Sequence, residues 1–185
     1  MRLLIMTINY IEGALSKIYP VGRHFVLNIC NEVGIWSGPN FRIVTKRWPH
    51  ARSAYFKWYR LRFRNDFGLG AVQFVRACNQ LVNQRAFVAN LVAQSEVSRP
   101  IRHRPFEKGL IRIGNRALRW GATIHLQCPT AVQTDSWPVL EDIIIRVLCS
   151  NGLRVSIYVS PTSNLPGRVT GSAMNFKLRQ CRHQL

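Results

Sequence analysis

The chain has 185 residues, 47% of them hydrophobic, which is enough for one buried core. Its 26 basic residues against 8 acidic ones give a formal charge of +18 and a pI near 11.2. Such a chain attracts polyanions through a long-range, salt-sensitive field, so nucleic acid and diphosphate ligands both suit it. No run of about 18 uncharged apolar residues occurs, which argues against a helical membrane span. The five cysteines are widely spaced without a C-x-x-C pair, which argues against a zinc site or a disulfide framework. Met1–Met6 is too short an apolar start for a leader and lacks a small-residue cleavage site, so a cytoplasmic location is expected.

Thr7–Glu12 partly alternates and reads as a first strand closed by Gly13. His24–Cys30 is mostly apolar and ends in Asn31; a loop with Gly34 and Gly38 follows, and a helical pattern begins after Phe41. Strand, glycine loop and helix start, in that order, let backbone N–H groups face an anion. A tight βα turn that binds nothing fits the same residues. Ala51–Arg64 sets Tyr55, Trp58, Tyr59 and Phe63 at spacings that recur at three and four, the period of an amphipathic helix. Those aromatics read as core beneath a basic face that includes Arg52, Lys57, Arg60 and Arg64. The alternative is a surface on which nucleic-acid bases stack.

Ala71–Arg76 and Ala86–Ala93 read as two strands joined by a polar turn around Asn79–Gln84. Ser98–Pro105 is basic and proline-punctuated, a loop ahead of a helix starting near Phe106. Its arginines and His103 are either solvated or set to meet a phosphate. Leu110–Trp120 continues the helical spacing, with Gly121 as its C-cap. Thr123–Leu126 is a short buried strand in which His125 reads as a hydrogen-bonded core histidine. Trp137–Cys149 forms a helix with Pro138 in its first turn and Asp135 or Ser136 as cap; Asn151-Gly152 ends it, and Leu153–Val159 is the last strand. Strands alternating with helices predict an α/β layered domain over residues 1–160. Residues 161–185 form a basic tail expected to be disordered.

Asn28-Ile-Cys-Asn-Glu-Val-Gly-Ile-Trp-Ser-Gly, followed by Thr45-Lys-Arg-Trp-Pro, resembles the first binding loop of macro domains, especially bacterial and phage proteins of ADP-ribose-1''-phosphate processing. Further matching blocks follow in order: Phe67–Val75, Phe87–Gln94, Gly121–Leu126, Trp137–Ile144 and Leu153–Val159. The resemblance implies a three-layer α/β/α fold with a mixed central sheet and a cleft outside the strand ends at Asn31 and Cys128. It further implies a monomer away from membranes, without metal or cofactor, that binds ADP-ribose or an ADP-ribosylated protein. Hydrolysis of a distal-ribose ester or phosphate is the implied reaction. The ligand contacts carried over are Gly13 and Ala14 at the adenine, Asn31 at the distal ribose, and Gly34, Ile35, Trp36, Ser37 and Gly38 in the first phosphate-binding loop. Gln94 joins them, with Pro129, Thr130, Ala131, Val132 and Gln133 from the second loop. A lysine and an aspartate serve one hydrolase branch, which points to Lys46 and Asp135.

Three departures matter. Ala14 stands where relatives carry an aspartate for the adenine amino group, a loss of about 1.5–3 kcal/mol, or roughly ten- to a hundredfold in affinity. The second loop, Gln127–Ser136, contains no glycine, although close approach to a diphosphate favours one. Pro39 has no N–H to give to a phosphate. Two other readings therefore stand beside ADP-ribose binding: a nucleic-acid or poly(ADP-ribose) module carried by the basic face, and a relative that kept the fold without the ligand.

Overall fold

A computed structural model describes residues 8–15, 22–77, 85–97, 99–129 and 137–159. Strands β1 (Ile8–Glu12), β2 (Arg23–Asn31), β3 (Val72–Ala77), β4 (Arg85–Gln94), β5 (Thr123–Gln127) and β6 (Val155–Val159) make one sheet in the order β1-β6-β5-β2-β4-β3. The first five strands of that order run parallel, and β3 lies antiparallel on β4 at the edge. The sheet is mixed, as expected. Because the parallel strands share one direction, the ends of β1, β6, β5, β2 and β4 all open on the same edge.

Helices α1 (Pro39–Arg47) and α2 (Pro49–Arg60) cover one face, and α3 (His103–Trp120) and α4 (Trp137–Val147) the other. Alternation along the central strands feeds both layers. Phe25, Leu27, Ala89 and Leu91 meet Phe106, Leu110, Ile113 and Leu140, while Val26 and Val88 meet Val44, Trp48 and Ala51. Burial on both faces explains why β2 and β4 read as near-continuous apolar runs. The result is the three-layer α/β/α architecture.

Several boundaries differ from the sequence reading, each for a local reason. Pro39 occupies the start of α1 with its φ already helical, so the helix begins ahead of Phe41. Trp48 (φ −135°, ψ 70°) breaks the chain because the residue before a proline avoids the helical region, and Pro49 opens α2. α2 ends at Arg60, and Arg62–Arg64 form a 3-10 turn; Phe63, expected in the core, is 87% exposed. α3 begins at His103, with Pro105 in the first turn, where a missing N–H costs nothing. Gly109 lies against β4, since a Cβ there would come within 3.0 Å of Leu91 Cγ. Gly121 (φ 60°) ends α3 as expected, with Ala122 N–H donating to Ala117 O at 2.9 Å. α4 stops at Val147 and gives way to a 3-10 turn at Cys149–Asn151.

A buried amide ladder seats α2 on the sheet. Asn28 Nδ2 donates to Asn90 Oδ1 (2.8 Å); Asn90 Nδ2 donates to Gln73 Oε1 (3.1 Å) and Ala51 O (3.3 Å); Gln73 Nε2 donates to Ala54 O (3.0 Å). These bonds fix the depth at which Tyr55 and Tyr59 reach the strand ends. Among the described residues no helix is long and apolar enough to cross a membrane. The turn around Asn79–Gln84, the second loop from Thr130 to Ser136 and the basic tail lie outside the described residues.

Candidate functional site

At the end of β2 the pairing with β4 shifts register between Cys30 and Asn31, a bulge that turns Asn31 away from the ladder. Asn31 is fully buried. Its Nδ2 donates to Ile35 O (2.6 Å), and its Oδ1 accepts the Ile35 N–H (3.0 Å). Tyr55 Oη donates to Asn31 O (2.6 Å) and lies 3.3 Å from Oδ1. Glu32 N–H closes onto Gln94 O (2.9 Å). Asn31 is thus a staple across the loop, with both ends of its amide engaged.

Gly34 (φ +76°) makes the turn inside this staple, where a Cβ would lie 2.6 Å from Tyr59 Cγ and closer to the ring edge. Ile35 is 47% exposed at the loop's outer side. Trp36 is half-buried against Phe41 (4.7 Å between centroids) and Tyr55 (5.4 Å), and its Nε1–H donates to Thr45 Oγ1 (2.8 Å). Ser37 is exposed, and Gly38 (φ 107°) caps α1 without a side-chain hydrogen bond. The first N–H groups of α1, at Asn40 and Phe41, therefore have no acceptor within the helix, and Pro39 contributes none.

The neighbouring strand ends are tied as firmly. Gly13 N–H donates to Val159 O (2.9 Å), and Leu15 N–H to Gln127 Oε1 (2.9 Å). Gln127 Nε2 and Cys128 N–H both donate to Tyr158 O, at 2.9 and 2.8 Å. Ala14, half-buried between Gly13 and Leu15, offers only its backbone. Gln94 is 3% exposed and donates its Nε2–H to Arg99 O (2.7 Å), so it holds the start of the segment that leads to α3. Pro129 is buried beside Cys128, whose thiol burial and then the Glu141 charge push up to about 12. Gln127 and Tyr55 escaped the sequence reading as site residues. The one available signal was a polar Gln127 directly after the buried run Thr123–Leu126.

Of the two catalytic candidates, Lys46 is exposed in the last turn of α1, about 10 Å of helix from Pro39 at 1.5 Å per residue. Asp135, with Thr130, Ala131, Val132 and Gln133, lies outside the described residues. His125 is a core histidine, as expected: Nδ1 meets Tyr158 Oη and Nε2 meets Thr123 Oγ1, both at 2.8 Å. Burial, then the neighbouring His24, lowers its pKa to about 4. The described residues hold no cluster of His, Cys, Asp or Glu able to take a metal ion.

The arrangement presents the first N–H groups of α1 at Asn40 and Phe41, a glycine turn seated on an aromatic ring, and an apolar wall at Ile35 and Trp36. It favours an anion carried on an extended ligand.

No family model matches the chain, and no curated relative matches its sequence. Solved structures do. A macrodomain protein from Streptomyces coelicolor aligns at 32% identity with a TM-score of 0.71, covering 82% of this chain and 97% of that one. A protein of unknown function from Bacteroides thetaiotaomicron aligns at 27% identity and a TM-score of 0.74, covering 83% and 98%. At the level of fold alone, Thermosipho africanus DarTG, solved in complex with ADP-ribose, aligns at 12% identity and a TM-score of 0.62, covering 77% of this chain and 39% of that one. The Streptomyces likeness extends over nearly the whole of that protein in sequence as well as in fold, and this chain belongs to the macrodomain family.

Proposed function

We propose that the edge formed by the ends of β1, β2 and β5 binds ADP-ribose or an ADP-ribosyl group. The diphosphate would lie over Gly34–Gly38 and the uncapped start of α1, the distal ribose beside Ile35 and Trp36, and the adenine near Gly13 and Ala14. One observation carries the reading: Asn31 engages both ends of its amide with Ile35, which holds the glycine turn in shape through the chain's own contacts. A loop ordered beforehand loses less entropy on binding. ADP-ribose in the Thermosipho protein of the same fold supports the choice of ligand. With Ala14 in place of a carboxylate, the adenine contributes less, and affinity falls by the roughly ten- to hundredfold of a missing charged hydrogen bond.

Hydrolysis of a distal-ribose ester or phosphate is the finer form of this proposal, with Lys46 and Asp135 as its residues. The distance of Lys46 along α1 supports binding over turnover. Calorimetry with ADP-ribose at two salt concentrations tests the site, with Ile35→Glu as the variant. Its side chain is half in water, so the exchange spares the core while setting a carboxylate against the diphosphate. Binding weakened at least about tenfold by that change supports the site; no heat from the parent protein overturns it. Phosphate release from ADP-ribose-1''-phosphate, unchanged in Lys46→Ala, would remove the lysine from any reaction.

A further inference from the structure

A second surface begins where the first site ends. Tyr59, the ring beneath Gly34, carries Arg62 Cζ at 4.4 Å from its centroid, and the same guanidinium lies 4.5 Å from the centroid of Phe63. Arg62 also donates to Tyr59 O (3.3 Å). Further back along α2 from Tyr59, Arg52 Cζ sits 5.4 Å over Phe56. Phe63 is 87% exposed, with Leu61 nearby at 46%. Arginine side chains thus lie over half-buried aromatic rings along one flank of α2 and in the turn after it, and the series ends in a ring that stands almost wholly in water.

We propose that this face, from Arg52 to Arg64, docks single-stranded nucleic acid. A phenyl ring offered to water gains by stacking on a base, and every base has such a face, so the contact needs no particular sequence. Arg62, set between two rings, keeps its fork oriented for a phosphate or a base plane. Lys57, Arg60 and Arg64 supply further charge, and no acidic residue occurs between Glu32 and Asp66. Asp66 itself accepts from the Trp58 indole (3.2 Å) and lies 3.4 Å from Arg112, so its charge is already met. A duplex hides its base faces, and the centre of a protein interface is poor in charge. The unpaired strand fits both features. The inference does not depend on ADP-ribose binding, and its test uses none.

The test is fluorescence anisotropy with a labelled 20-mer of dT and the full chain, in rising salt. The comparison proteins are Phe63→Ala and the pair Arg60→Ala with Arg64→Ala; the comparison ligand is a duplex of equal length. All three side chains are exposed, so the variants should melt with the parent. Phe63→Ala should weaken the single strand roughly five- to a hundredfold with the salt slope unchanged. The double arginine variant should flatten the slope of log affinity against log salt by about 0.7 for each phosphate it no longer neutralises. A Phe63→Ala protein that binds dT as tightly as the parent, or a parent that prefers the duplex, overturns the proposal. Self-association abolished in Phe63→Ala, with dT affinity unchanged, would assign the ring to a protein partner instead.

Discussion

Gly34 gives the sharpest test of how the loop is built, because its two constraints can be separated. Its φ of +76° disfavours any residue with a Cβ, and the Tyr59 ring occupies the space that Cβ would need. Gly121 shares only the first constraint: φ is +60° and nothing lies within 4 Å of its Cβ position. Gly121→Ala should therefore cost about 1–2 kcal/mol, the strain of a left-handed residue. Gly34→Ala should add about 1–3 kcal/mol for overpacking against Tyr59. In a protein of this size each kcal/mol moves the melting temperature by about 2–4 °C. Thermal unfolding of the two variants should thus differ by roughly 2–12 °C, with Gly34→Ala the less stable. Calorimetry adds a second readout, since moving the loop off Tyr59 should weaken ADP-ribose at least about tenfold while Gly121→Ala leaves it alone. If both variants melt together, the loop is not seated on Tyr59 and the account of the site fails.

Other expectations follow from single contacts. Tyr55→Phe removes the hydroxyl that donates to Asn31 O and should lower stability by about 1–2 kcal/mol, read as a lower urea midpoint at constant slope; an unchanged midpoint would refute the role. Gln127→Leu leaves the Leu15 N–H buried without its acceptor, which should cost about 1–3 kcal/mol and speed hydrogen exchange at that amide in particular. The buried pair His24 and His125, ring centroids 5.7 Å apart, gives a pH dependence. Both pKa values are lowered on folding, so the unfolded chain binds more protons; stability is complete above about 6.5 and falls as the pH drops towards 4. The slope approaches about 1.4 kcal/mol per pH unit for His125, His24 adds to it in the same direction, and melting at pH 5 and 7 measures it. Equal stability at those two values would contradict the burial of the neutral pair.

What the chain determined alone was whatever its local chemistry specifies. The apolar runs of β2 and β4, the αL cap at Gly121 and the alternation of strands with helices were legible because periodicity and turn residues act within a few positions. The loop from Asn31 to Gly38 was legible as a glycine turn between strand and helix for the same reason, since strand, glycine and helix start follow directly in sequence. Tertiary structure decided the rest. Asn31 became a staple only because Ile35 folds back on it and Tyr55 arrives from another helix. Gln127 serves Leu15, 112 positions away, a partnership that no spacing encodes. Phe63 keeps the helical spacing of a core residue and yet points into water, because α2 ends at Arg60 and the 3-10 turn carries it off the buried face. Periodicity sets which residues share a face only while the helix lasts, and in this chain the packing around α2 decides where it stops.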